Sequence, residues 1–123
     1  MDRLAVRALL LLHGWPDAPR GWLVVAGRLH ERGWRTIVPA LSGCGATCFR
    51  SPETPRDGRG VALAADAIEL LDALAIDRIP VVGHDWGARA AYTLAAVAPE
   101  RVSAIVALAL PYQQPEPDVA LDE

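Results

Sequence analysis

The residues whose types and spacing could do chemistry fall in two short motifs. In the first, an aspartate stands between two glycines, with a histidine before it and a tryptophan after it. A sharp turn from a strand into a helix needs small flanking residues, and its central side chain then projects above the sheet. A carboxylate there can displace a leaving group from carbon and form an ester, and a base must later activate water to hydrolyse it. The motif consists of Gly83, His84, Asp85, Trp86 and Gly87.

The second motif follows the first apolar run of the chain and consists of His13, Gly14, Trp15 and Pro16. The backbone N–H groups of Trp15 and of Trp86, at a predicted helix N-terminus, are candidates to stabilise an oxyanion. A His-Gly pair after a strand is weak evidence by itself, but its order relative to the first motif makes the combination specific. The alternative, that Asp85 only caps a helix, is disfavoured by this combination.

Apolar runs alternate with segments of helical period, and these elements must position both motifs. Strands are predicted at residues 8–12, 36–40, 79–82 and 104–110, and helices at residues 19–32, 61–76 and 86–98. Continuous apolar strands are typical of parallel sheets covered on both faces. We therefore predict an α/β fold of three layers, αβα, with a mainly parallel sheet and a βαβαβαβ core. Ligands bind at the carboxyl ends of such strands, here residues 13–17, 41–45, 83–87 and 110–114.

Local signals add detail to two of the predicted helices. Asp17 is the predicted N-cap of the first helix, Pro19 lies in its first turn and Gly33 follows its end. The apolar positions of each helix should share one face. These positions are Trp22, Val25, Ala26 and Leu29 in the first helix, and Ala64, Ile68, Leu71 and Ala75 in the second.

Composition excludes several classes of function. The 123 residues are 52% hydrophobic with a net charge of −3, which suits one domain and excludes intrinsic disorder. There is no basic stripe for nucleic acid or an anionic membrane, and no apolar run of bilayer length. Cys44 and Cys48 alone make a poor zinc site. We expect a cytoplasmic protein with a small-molecule substrate and with no metal, cofactor, nucleic-acid partner or membrane partner.

The combination of HGWP with GHDWGAR resembles the α/β-hydrolase superfamily, over about residues 8–111. It is similar to the epoxide hydrolase and haloalkane dehalogenase branch, which uses an aspartate nucleophile. The HGWP motif is more similar to that of the epoxide hydrolases. Trp86, after the nucleophile, is compatible with either group of enzymes. The resemblance implies that Asp85 attacks an epoxide or a halogenated carbon, and that the Trp15 and Trp86 amides form an oxyanion hole. His13 and Gly14 would shape that hole, Pro16 would hold its turn, and Gly83, His84 and Gly87 would frame the nucleophile.

The chain departs from this family in its catalytic acid and its base. Some members place the acid just after the strand at 104–110, where Ala109 or a neighbour stands here. The family's order is nucleophile, acid and then a late histidine, whereas His13, His30 and His84 all precede Asp85. We expect one partial domain over residues 1–123, without a cap domain, whose Pro-rich tail at 111–123 leads towards a missing cap. Such a truncated hydrolase would be weakly active or inactive alone, and its uncovered edges or helix faces favour self-association. The alternatives are a non-catalytic remnant or binding module, and an enzyme completed by a second chain.

Overall fold

The computed structural model describes residues 7–42, 44, 47, 51, 53 and 59–111. Cys48 and most of the predicted Pro-rich tail, residues 112–123, lie outside the described residues. Strands and helices alternate along the described chain, as predicted. They are β1 (Arg7–Leu12), α1 (Leu23–Glu31), β2 (Trp34–Ile37), α2 (Gly60–Ala73), β3 (Ile79–His84), α3 (Trp86–Val97) and β4 (Val102–Leu108), with 3-10 helices at Pro19–Trp22 and Pro99–Arg101.

The four described strands form one parallel sheet in the order β2-β1-β3-β4. Leu10 of β1 lies opposite Ile37 on one side and opposite Val81 on the other. Because the strands are parallel, the carboxyl ends of β1 and β3 meet at the same edge of the sheet. The two motifs of the sequence, which directly follow or end these strands, are therefore neighbours in space.

Helices cover both faces of the sheet, which confirms the predicted three layers. The alternation of β1 side chains divides its leucines between two apolar clusters. Leu10 and Leu12 pack in the larger cluster with α2 and α3, and Leu9 and Leu11 pack on the opposite face against Trp22 and Ala26. Full burial of one such side chain contributes about 1.5–3 kcal/mol, so β1 anchors both layers.

The first helix begins differently from the prediction. The Asp17 carboxylate accepts a hydrogen bond from the adjacent Ala18 N–H at 2.8 Å, and it does not cap the helix. The helix starts as a 3-10 turn with Pro19 in its first positions, as predicted. Gly33 has a φ of 84°, which confirms its predicted place just beyond the helix end.

Two predicted core positions are exposed. Val25 is 42% exposed, because it lies about 100° around α1 from the buried Ala26, at the margin of the apolar face. Ala75 is also exposed, since α2 ends at Ala73 and Ala75 turns the chain away with a φ of 55°. The other predicted apolar positions of α1 and α2 are buried or partly buried.

Two strands begin two residues before their predicted starts. β2 begins at Trp34, which lies opposite Arg7, and β4 begins at Val102, which lies opposite Ile79. Pairing with a central strand sets these starts, whereas the prediction followed the apolar runs. The prediction that strands are covered on both faces is wrong for β4, where Val106 and Leu108 are exposed because α1 packs beside β1 and β2.

β4 is an edge strand of the described sheet and has no charged residue or proline in its seven residues. Unprotected edge strands pair readily with other chains. The opposite edge strand, β2, is better protected because it is short and contains Arg35.

We expect the 123-residue chain to associate with a second copy through β4, measurable by sedimentation at increasing concentration. Val106→Lys should weaken association. Val97→Lys on α3, where the valine is similarly exposed (55% against 53%), should not. A monomer at all concentrations would contradict this expectation.

Among the described residues, no helix is both long enough and apolar enough to cross a bilayer.

Candidate active site

Asp85 occupies the sharp turn between β3 and α3, with a φ of 56° and a ψ of −115°. Its N–H donates to the Leu108 carbonyl at 3.0 Å, and its own carbonyl accepts from the Arg89 N–H at 3.1 Å. These bonds hold the turn to β4 and to the first turn of α3. Asp85 stands at the N-cap position of α3, but its side chain makes no N-cap hydrogen bond, which does not support the simple N-cap alternative.

Three glycines let the backbones around this turn touch. A Cβ atom at Gly83 would lie 2.2 Å from the Gly87 carbonyl oxygen, and one at Gly87 would lie 2.1 Å from the Leu12 carbonyl oxygen. A Cβ at Gly14 would lie 2.6 Å from the Cβ of Asp85. Real side-chain atoms cannot occupy these positions. Gly83 is therefore required by the close approach of β3 to the start of α3, and Gly87 and Gly14 by the close approach of the end of β1 to the turn.

The Asp85 carboxylate receives a hydrogen bond from the other motif. The Trp15 N–H donates to Asp85 Oδ2 at 3.0 Å, across 70 residues of sequence. Backbone hydrogen bonds from Trp15 and then Trp86 lower the pKa of Asp85 below the ordinary value of an aspartate. Burial opposes this effect, and the His84 and Arg89 charges lower the pKa further. The carboxylate is therefore ionised at neutral pH.

His13 lies beneath the second motif and is only 1% exposed. Its Nδ1 is 2.9 Å from the Gly14 carbonyl oxygen, and its Nε2 accepts from the Leu41 N–H at 3.0 Å. The peptide bond that joins Trp15 to Pro16 is cis. His84 is half-buried beside Asp85 at the end of β3. All nine residues of the two motifs thus lie at the joined carboxyl ends of β1 and β3.

A cavity of about 310 Å³ opens beside the two motifs. The Arg89 guanidinium lies over the Trp86 ring, 4.7 Å from Cζ to the ring centre, and the Ser42 hydroxyl donates to Asp66 of α2. The cavity is mostly apolar and is lined by Gly14, Trp15, Leu41, Ser42, Cys44, Leu63 and Trp86.

The sequence predicted part of this cavity lining. Leu41, Ser42 and Cys44 follow β2, where ligand-binding residues are expected in a parallel sheet. Leu63 belongs to the first turn of α2, and only the packing of that helix places it at the cavity. Among the described residues, no group of three or more His, Cys, Asp or Glu side chains could hold a metal ion.

The family model for the alpha/beta hydrolase fold matches residues 7–123. The chain belongs to this family. It is 36% identical over 112 residues to Epoxide hydrolase 2 of Siraitia grosvenorii, a match that covers 91% of this chain and 35% of the relative. It is 37% identical over 108 residues to an epoxide hydrolase of Caballeronia sordidicola, which covers 85% of this chain and 31% of that protein.

Solved structures of this family agree with the fold. An epoxide hydrolase from Vigna radiata superposes with a TM-score of 0.82 at 33% sequence identity, over 92% of this chain and 36% of that chain. The chain therefore spans about a third of the length of the relatives that it matches. The parallel sheet and both motifs lie within the matched part of the α/β-hydrolase fold.

Proposed function

We propose that this chain carries the nucleophile and the oxyanion-binding amides of an epoxide hydrolase. The observation that supports this most directly is the Trp15 hydrogen bond to the ionised Asp85 carboxylate at the turn between β3 and α3. The names of the matched relatives supply the substrate class. No observation favours the haloalkane alternative over the epoxide.

Under this proposal the two carboxylate oxygens have different tasks. Because Oδ2 accepts the Trp15 N–H, we assign the attack on an epoxide carbon to Oδ1. The new C–O bond forms as the ring C–O bond breaks, and the ring oxygen takes that electron pair and then a proton from water or an acid. The product of this step is a hydroxyalkyl ester of Asp85.

Hydrolysis of the ester returns the carboxylate. Water attacks Asp85 Cγ and loses a proton to a base, and the negative charge then collects on Oδ2, where the Trp15 and Trp86 amides stabilise it. The ester C–O bond breaks and a vicinal diol leaves after protonation. His13 has both ring nitrogens engaged and so cannot accept that proton. We therefore expect ester hydrolysis to be the slow step in the 123-residue chain.

Slow hydrolysis makes the ester itself the measurable product. After incubation with styrene oxide, mass spectrometry should find one added epoxide on the peptide that contains Asp85. Asp85→Asn should abolish this adduct. An unstructured peptide with a single aspartate, present in the same tube, is the internal standard for unassisted alkylation. Labelling of Asp85 no faster than that standard, or labelling that survives in Asp85→Asn, would refute the proposal.

The lowered pKa of Asp85 gives a pH dependence with a definite sign. An ordinary aspartate is half protonated near pH 3.9 and loses nucleophilicity as the pH falls through that value. Asp85 stays ionised to lower pH than the aspartate of the standard peptide. The ratio of Asp85 labelling to labelling of the standard should therefore rise as the pH is lowered from 6 to about 3.9. Comparison within one tube cancels the acid activation of the epoxide. A constant or falling ratio would contradict the lowered pKa.

A further inference from the structure

The two hydrogen bonds of His13 define the proton position on its ring. The Leu41 N–H can only donate, so Nε2 must be an acceptor without a proton. The Gly14 carbonyl can only accept, so Nδ1 must carry the proton. Both bonds coexist only in the neutral ring with its proton on Nδ1. Because His13 is 1% exposed, water does not replace either partner.

The bond to Gly14 fixes the orientation of the oxyanion-binding amide. The Gly14 carbonyl and the Trp15 N–H belong to one planar peptide unit, so holding the carbonyl fixes the direction of the N–H. The same carbonyl also accepts from the Asp17 N–H at 2.9 Å, which closes the turn. Two donors on this carbonyl also polarise the peptide unit and strengthen the Trp15 N–H as a donor to Asp85.

The bond to Leu41 connects the same ring to the cavity. Leu41 lines the cavity, and its N–H donates to His13 from the segment that follows β2. One buried side chain thus joins a wall of the cavity to the peptide unit that holds the Asp85 carboxylate. We propose that His13 is a positioning residue, held as the neutral Nδ1–H tautomer, which couples the Leu41 wall to the orientation of the Trp15 amide.

The tautomer can be measured directly by NMR of the chain with ¹⁵N-labelled histidine. The His13 signals, identified by their loss in His13→Phe, should report a protonated Nδ1 and an unprotonated Nε2 at neutral pH. A proton on Nε2, or a doubly protonated ring, would overturn the proposal. This measurement on the unaltered chain does not depend on whether any variant folds.

Hydrogen exchange tests the connection to the cavity wall. The Leu41 amide should exchange faster in His13→Phe, because its acceptor is gone, and His13→Gln should restore part of the protection. His30→Phe is the matched control, since His30 lies on the surface and bonds to Thr36. Leu41 exchange that is unchanged in His13→Phe, or equally accelerated in His30→Phe, would contradict the coupling.

The kinetic consequence rests on the proposed function. Loss of a positioned oxyanion donor typically slows the step that builds the oxyanion by about 10²–10³, so misorientation of the Trp15 amide in His13→Phe should slow hydrolysis of the Asp85 ester at least about tenfold. His13→Gln should recover part of that rate. If Asp85 of the unaltered chain is not labelled but NMR finds the proton of His13 on Nδ1, the proposed function fails and the positioning role of His13 is retained. Equal rates of ester decay in the unaltered chain and a folded His13→Phe, followed by mass spectrometry after removal of the styrene oxide, would overturn the positioning of the amide.

Discussion

Replacing Gly87 with alanine is expected to lower the free energy of unfolding by about 3 kcal/mol or more. The added Cβ would lie 2.1 Å from the Leu12 carbonyl oxygen and 2.8 Å from that of His13. Both are backbone atoms at the end of β1, so no side-chain rotation relieves the contact. Overpacking of a core costs about 1–3 kcal/mol when side chains can adjust, and more when the backbone must move. Such a loss is a large fraction of the 5–15 kcal/mol typical of a domain.

Gly27 provides the matched control for this experiment. It lies in α1, where an added Cβ meets nothing within 4 Å. Gly27→Ala should therefore raise stability by roughly 0.5–1 kcal/mol through helix propensity alone. Urea unfolding followed by circular dichroism gives both values. A Gly87→Ala chain as stable as the parent, or an equal loss in Gly27→Ala, would show that β1 and α3 are not packed at this distance.

Asp85→Gly is expected to remove all epoxide labelling and yet to fold more stably than Asp85→Ala. Both variants lose the carboxylate, and with it the hydrogen bond from the Trp15 N–H. They differ in the Cβ atom, which at a φ of 56° and a ψ of −115° is strained by about 1–3 kcal/mol. Glycine loses more chain entropy on folding, which offsets about 0.4–1 kcal/mol of that strain. The glycine variant should therefore be the more stable by about 1 kcal/mol.

Denaturant unfolding of the two variants tests the strain, and mass spectrometry after treatment with styrene oxide tests the chemistry. Labelling of either variant at the peptide that contains residue 85 would be incompatible with Asp85 as the nucleophile. An alanine variant that matches or exceeds the glycine variant in stability would show that the turn carries no strain. If both expectations hold, the sequence keeps a carboxylate where glycine fits the backbone better.

Sequence patterns located the turn because its chemistry and its packing use the same residues. The glycines around Asp85 predicted a tight strand-to-helix turn, and those glycines are where β1, β3 and α3 touch. The continuous leucines of β1 predicted a strand buried on both faces, and Leu10 and Leu11 are fully buried. Local patterns were sufficient for these features because each depends on few neighbours in the sequence.

The features that sequence did not predict depend on pairing between distant segments. The start of β2 at Trp34 follows from its register with β1. A local apolar run does not show at which residue a strand begins to pair with its neighbour. The bond between the Leu41 amide and His13 joins segments 28 residues apart. Leu63 reaches the cavity only because α2 packs against α3. None of these contacts leaves a periodic signal in the amino-acid sequence.

The strand order also sets when the site can form during synthesis. β1 is central, and its partner β3 lies far along the chain, since Trp15 and Asp85 are 70 residues apart. Loops of this length close slowly, and ribosomes add about 5–20 residues per second. One side of the leucine-rich β1 therefore waits roughly 4–14 s for its partner. During that interval the side of β1 that pairs with β3 is open to chaperones and to mispairing.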